Sequence, residues 1–180
     1  MENTIRIKER LQRKAVQAGV PISGTFELTP RCNLQCRMCY VRMTEAEMKP
    51  YGRELTAREW ISLGRQAYEA GMLFLLLTGG EPFLRPDFLQ IYEAMSLLGL
   101  SISINTNGTM LSDKLRLLLE KRPPAQLNVT LYGPKESAYQ SLCGNANAFA
   151  NTMNTLRWAR DMGIMLNVNA TVTPWNVDLL

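Results

Sequence analysis

The chain has 180 residues, 20 Lys and Arg against 16 Asp and Glu for a formal net charge of +4, and 46% hydrophobic residues. That length supports one domain with a sizeable core and is short for two. Four cysteines occur and no histidine, which excludes Cys2His2 zinc, Ser-His-Asp and Cys-His catalysis, and any histidine general base.

Residues 1–23 read as a basic helical extension, with Arg6, Lys8, Arg10, Arg13 and Lys14 on a solvated face. A role in RNA binding would rest on that cluster alone, so nucleic acid is not the expected partner. No signal-peptide core precedes residue 20, and the oily run "MLFLLL" from Met72 is too short to cross a bilayer. A cytoplasmic protein with no membrane partner is expected.

From residue 24 to 180, read as one core domain, strand-length apolar stretches alternate with helical patterns, the rhythm of β-α units around a parallel sheet. "GTFELT" at 24–29 is the first strand. Thr56 and Glu59 form a capping box for a helix whose Trp60, Leu63 and Ala67 repeat at helical spacing, and Gly71 ends it. "MLFLLLT" at 72–78 reads as a strand buried on both faces. Pro86 suits the first turn of the next helix, which buries Phe88, Ile91, Met95 and Leu98. "LSISINTNG" is the third strand, followed by a helix from Ser112 that Pro123 and Pro124 stop. "AQLNVTLYG" is the fourth strand. A helical region interrupted near "CGNANA" then leads to a fifth at 164–172.

The alternation inside the strands carries information. Ser101, Ser103 and Asn105 share a face, as do Asn128 and Thr130, and as do Asn167, Asn169 and Thr171 opposite Ile164, Leu166, Val168, Ala170 and Val172. A parallel sheet covered by helices on one side turns its other face inward, and here that face is polar where a closed barrel would stack branched apolar layers. This points to a lumen that holds a polar ligand. The closing "TPWNVDLL" reads as the turn into a further helix, so the chain is expected to be the N-terminal part of a longer protein or a shortened gene product.

Cys32, Cys36 and Cys39 fall within eight positions, and Cys143 lies more than a hundred residues away. A disulfide between two of the three would strand the third. Thiolates suit zinc or iron-sulfur clusters; zinc would need Cys143 as its fourth ligand. A [4Fe-4S] cluster on three cysteines leaves one iron open to a substrate or cofactor, and that is the preferred reading.

The spacing Cys32-x3-Cys36-x2-Cys39 after the first strand, with "GGEP" from Gly79 after the second, resembles the radical S-adenosylmethionine (SAM) superfamily. The likeness continues through "NTNGT" from Asn105 and "VTLYGPKESAY" from Val129, where it is similar to members with C-terminal SPASM-type auxiliary-cluster domains, including peptide-modifying maturases. The resemblance implies an α/β fold, a partial (β/α)6 TIM-like barrel that here stops after the fifth strand. It implies that Cys32, Cys36 and Cys39 ligate a [4Fe-4S] cluster whose open iron is chelated by SAM. Met38, where the family often has an aromatic, would lie near the adenine; Gly79, Gly80 and the region through Glu81 would receive the methionine ammonium group; Thr130 matches a hydroxyl that contacts SAM. Asn105, Thr106, Asn107, Asn169 and Thr171 are further lumen candidates.

The implied reaction is oxidoreductase or maturase chemistry. An external donor supplies one electron, SAM is cleaved to methionine and a 5'-deoxyadenosyl radical, and the radical takes hydrogen from an unknown substrate, for which a peptide is a candidate. The alternative is an iron-sulfur and SAM-binding module that turns nothing over. Cys143 is expected to be a buried small side chain, and Arg85 either to steer an anionic substrate or to lie on the surface.

Overall fold

The computed structural model describes the backbone of residues 2–179 and the side chains of residues 9–178, so Arg6 and Lys8 of the basic cluster lie outside the described side chains. Helix α1 (Glu2–Ala18) leads into β1 (Ser23–Glu27), then α2 (Glu45–Met48), α3 (Ala57–Glu69), β2 (Phe74–Thr78), α4 (Phe88–Leu97), β3 (Ser101–Thr106), α5 (Asp113–Lys121), β4 (Gln126–Thr130), α6 (Glu136–Cys143), α7 (Ala148–Asp161) and β5 (Leu166–Asn169). The five strands pair in chain order, each parallel to the next. Such a one-way progression is an α/β sheet of the partial-barrel kind rather than a doubly wound one, in which the order reverses. Among the described residues no helix is long and apolar enough to cross a membrane.

Local sequence accounts for the helix limits. Thr56 accepts from the Glu59 backbone N–H at 3.3 Å while Glu59 accepts from the Thr56 N–H at 2.8 Å, the reciprocal cap of α3. Ser112 Oγ accepts from Leu115 N at 3.3 Å to start α5, which ends before the two prolines. The helical region after β4 does break where expected, because Gly144 takes a left-handed conformation (φ 71°) beyond α6. Pro86 differs from expectation: it precedes the N-cap Asp87, and Pro82 instead opens a 3-10 turn over Pro82–Leu84.

The core lies on the outer face of the sheet. Leu75, Leu77, Ile102, Ile104, Leu127 and Val129 pack against Ile91, Met95, Leu115, Leu119 and Ala159 of the helices. Gly64 on α3 lets α4 come close, since a Cβ there would meet Met95 Sδ at 2.2 Å. Leu63, expected on the buried stripe, is exposed.

The inner face is polar, as the strand alternation indicated. One register row crosses the sheet with Glu27 opposite Thr78, and Asn105, Asn128 and Asn167 side by side. Asn128 Nδ2 donates to Asn105 Oδ1 at 2.8 Å, and Gln126 Nε2 donates to Asn128 Oδ1 at 3.0 Å. This corrects the reading of β2 as buried on both faces: Leu75 and Leu77 are buried, whereas Phe74, Leu76 and Thr78 on the inner side are half-buried. The fifth strand is also shorter than expected, with Val168, Val172 and the neighbouring Met165 exposed. Among the described residues it pairs with β4 alone.

A core on one side of the sheet makes each buried residue there count. Ile104, fully buried on the central strand, should cost about 2–5 kcal/mol when replaced by alanine. Urea unfolding of Ile104→Ala tests this, and a cost near zero would mean the outer layer is not what stabilises the sheet.

Candidate functional site

The site begins where β1 and β2 end. Gly80 N–H donates to Thr29 O at 2.7 Å and Glu81 N–H to Arg31 O at 2.8 Å, joining the "GGEP" turn to the start of the cysteine loop. The glycines are required by that junction. A Cβ on Gly79 (φ 146°) would meet Thr29 O at 2.4 Å, and one on Gly80 would meet Arg31 O at 2.3 Å. The close backbone approach is therefore to the cysteine loop itself, which refines the expectation that these glycines serve approach to a ligand.

The loop is tied at further points. Met43 N–H returns to Pro30 O at 3.1 Å, and Gln35 and Arg37 N–H groups bond to Cys143 O and Leu142 O at 3.4 and 3.0 Å. Leu34 is buried in a second core with Tyr132, Tyr139, Leu142, Cys143 and Ala148. Arg31 forms a two-point pair with Glu54, at 2.7 Å for Nη2–Oε2 and 3.1 Å for Nε–Oε1, and Thr29 Oγ1 donates to the same carboxylate. Arg85 is neither a surface residue nor a substrate guide. It is buried, donating to Leu28 O at 2.8 Å, Leu55 O at 2.9 Å and the Asp87 carboxylate, so it clamps this junction from below.

Glu81 is fully buried and is not among the residues lining the cavity. It accepts from Thr106 Oγ1 at 2.8 and 3.0 Å, from Asn107 N at 2.8 Å and from Phe83 N at 3.0 Å. Asn107 in turn donates to Asn33 Oδ1 at 2.9 Å and to Cys32 Sγ at 3.6 Å, while Thr152 and Thr155 of α7 hold the Asn107 and Gly108 carbonyls at 2.9 and 2.6 Å. Burial raises the Glu81 pKa to about 7 against the opposing pull of these donors.

Cys32, Cys36 and Cys39 all open on one cavity of about 520 Å³ at the C-terminal ends of the strands, together with Met38, Gly79, Gly80 and Thr130. Asn105, Thr106, Asn107 and Thr171 line it too; Asn169 does not. Sequence reasoning missed Tyr132, Thr25 and Glu27, which also line it. Tyr132 sits inside the quoted "VTLYG" stretch, and Thr25 and Glu27 share the inward parity of β1, the signal that could have found them.

Two of the thiols have a backbone donor aimed at them: Leu34 N–H lies 3.4 Å from Cys32 Sγ, and Arg42 N–H lies 3.2 Å from Cys39 Sγ. Burial pushes Cys32 up to about 11, whereas the neighbouring Cys143 thiol draws Cys36 down to about 7 and Cys143 itself is pushed up. Among the described residues no three His, Cys, Asp or Glu side chains gather closely enough to hold a single ion. Three thiols spread around a cavity wall fit a body several ångströms across, as a four-iron cluster is, and N–H donors toward the sulfurs suit its negative charge.

The radical SAM superfamily model matches residues 26–178. The chain belongs to the radical SAM superfamily. It is similar to the PqqA peptide cyclase of Bradyrhizobium diazoefficiens, 27% identical over 172 residues, covering 96% of this chain and 44% of that protein. It is also similar to the AdoMet-dependent heme synthase of Oleidesulfovibrio alaskensis, 27% identical over 152 residues, covering 84% of this chain and 38% of that protein. Among solved structures, Streptococcus suis SuiB bound to precursor peptide SuiA matches with a TM-score of 0.75 at 18% identity, over 99% of this chain and 40% of that one, a likeness of fold. SuiB is also known bound to SAM. This radical SAM chain thus spans less than half the length of these relatives.

Two outcomes follow from the junction of this radical SAM core. Gly80→Ala forces its Cβ onto Arg31 O and should destabilise the fold by about 1–3 kcal/mol while lowering iron uptake on anaerobic reconstitution; full iron uptake would show that the junction does not shape the loop. Because the Glu81 pKa lies above its ordinary 4.5, the folded chain keeps a proton the unfolded chain has released, so its contribution is full below pH 4.5 and is lost as pH rises through about 7. Denaturation of wild type and Glu81→Gln from pH 4 to 8 should show this slope in wild type alone, and equal slopes would mean Glu81 is ionised throughout.

Proposed function

We propose that residues 24–180 form the core of a radical SAM enzyme of the oxidoreductase or maturase type, with residues 1–23 as a helical extension, acting on a peptide. In this reading Cys32, Cys36 and Cys39 ligate a [4Fe-4S] cluster, and SAM lies beside it against Met38, Gly79, Gly80 and Thr130. The observation that carries it is the opening of all three thiols and the Gly79–Gly80 backbone on one cavity at the strand ends. When bound, cluster and SAM together supply one-electron reductive cleavage to methionine and a 5'-deoxyadenosyl radical that removes hydrogen from substrate, the electron coming from an external donor.

The chain's own groups position these partners. The side-chain-free backbone at Gly79 and Gly80 offers carbonyl acceptors to an ammonium group. Glu81 acts at one remove, holding Thr106 and also Asn107, whose amide reaches Cys32, with both carboxylate oxygens already accepting hydrogen bonds. Met38 presents a polarizable thioether from beside the second core to the flat face of a base. Thr130 offers a hydroxyl from the fourth strand end. Among the described residues the cavity lining has Glu27 as its one carboxylate and no Lys or Arg, which favours a neutral, hydrogen-bonding peptide over a polyanion. The names of the PqqA peptide cyclase and of SuiB with its precursor peptide support the same class.

Electron paramagnetic resonance of anaerobically reconstituted, reduced protein tests the reading. A [4Fe-4S] signal that changes shape on adding SAM, with release of 5'-deoxyadenosine, is expected for wild type and should vanish in the variant with all three cysteines replaced by alanine. A signal indifferent to SAM would sink the open-iron assignment. A SAM-responsive signal without 5'-deoxyadenosine would leave only a binding module.

A further inference from the structure

Among the described residues, one carboxylate at the cavity is left without a partner. Around the strand ends Glu54 pairs with Arg31, Asp87 pairs with Arg85, and Glu81 accepts from Thr106, Asn107 and Phe83. Glu27, the last residue of β1, is exposed and lines the cavity, yet no described side chain pairs with it. Strand parity puts it there: Phe26 packs against the outer core, so Thr25 and Glu27 turn to the inner face. Register then sets Glu27 opposite Thr78, and the pairing of Leu77 with Ile104 carries the same row on to Asn105.

A ligand lying across this row meets a negative charge at β1, a hydroxyl at β2 and a carboxamide at β3, all three lining the cavity. Asn105 Oδ1 already accepts from Asn128 Nδ2 at 2.8 Å, which leaves Asn105 Nδ2 to donate to a carbonyl. Since no described lining residue is Lys or Arg, the counter-charge for Glu27 comes with the ligand. Neighbouring strands lie about 4.8 Å apart, so the carboxylate and the carboxamide stand about 10 Å from each other across the row. A peptide residue with a long cationic side chain bridges that span from its own backbone carbonyl. An N-terminal ammonium, only about 3.8 Å from the next residue of its chain, fits the span less well. We infer that Glu27 is a specificity-determining residue that selects a peptide carrying a Lys or Arg side chain, held with its backbone against Asn105. The inference rests on the peptide reading above and refines it: the peptide is hydrogen-bonding and otherwise neutral, with one cation facing β1. The ammonium group of SAM has backbone acceptors of its own at Gly79 and Gly80 in that reading.

The test is ligand-observed NMR titration of reconstituted protein with SAM present, using N-acetyl-lysine methylamide, its neutral analogue N-acetyl-norleucine methylamide, and norleucine methylamide with a free N-terminus. Wild type should bind the lysine probe about fivefold more tightly than the acetylated norleucine probe, the upper range for a solvent-accessible ion pair. Glu27→Gln should erase that preference, and Glu27→Lys should transfer it to N-acetyl-glutamate methylamide, a gain that misfolding cannot produce. Equal or undetectable binding of the two acetylated probes by wild type overturns the inference, as does a preference that survives in Glu27→Gln. Norleucine methylamide binding as tightly as the lysine probe overturns it in favour of a terminal ammonium. Loss of the SAM-dependent change in the electron paramagnetic resonance signal of Glu27→Gln overturns it by giving the carboxylate to SAM. A wild-type cluster indifferent to SAM sinks the enzyme reading instead, while the probe preference stands or falls on the NMR titration.

Discussion

Two backbone hydrogen bonds, from Gly80 to Thr29 and from Glu81 to Arg31, tie the chain leaving β2 to the chain leaving β1, and they do so at a distance only glycine permits. Every part of the site is referred to that seam. It fixes where the cysteine loop departs, and it turns Glu81 inward to gather Thr106 and Asn107 from the end of β3. Asn107 then reaches back to Cys32 and Asn33. The contacts close a ring through the ends of three strands, and α7 seals it from outside through Thr152 and Thr155.

The ring explains how an ionisable side chain is buried at so sensitive a place. Burying a carboxylate is costly unless donors surround it, and Glu81 has three, two of them backbone N–H groups whose positions specify the neighbouring loops. Beyond it, Arg85 and Glu54 brace the same seam from the helix side, and the second core under Leu34 braces the far half of the loop. The cysteine segment has almost no regular secondary structure, yet it is anchored at its ends and in its middle. Preorganisation of that kind is what a multi-atom cofactor requires of its ligands.

Much of this was legible in the sequence. Parallel strands in succession, a polar inner face and three cysteines beside a glycine pair all show as periodicity or spacing. What was hidden depended on partners remote in the chain. Arg85 gives no sign in sequence that Leu28 and Leu55 will supply carbonyls to it, and Glu81 gives none that Thr106 and Asn107 will enclose it. The continuous oily run of β2 reads as doubly buried because Leu76 is as apolar as Leu75 and Leu77, although it faces the lumen. Tyr132 escaped because an aromatic next to a strand end is an ordinary core residue until the loop it touches is placed.

The inner row of Glu27, Thr78, Asn105, Asn128 and Asn167 adds little apolar burial, because the core lies across the sheet from it. The apolar core and the polar inner row therefore lie on opposite faces of the same five strands. Side chains along that row can be exchanged for others of similar polarity without disturbing the helices that keep the sheet in shape. Such a scaffold can drift toward new ligands through mutations on one surface while natural selection for folding acts on the other.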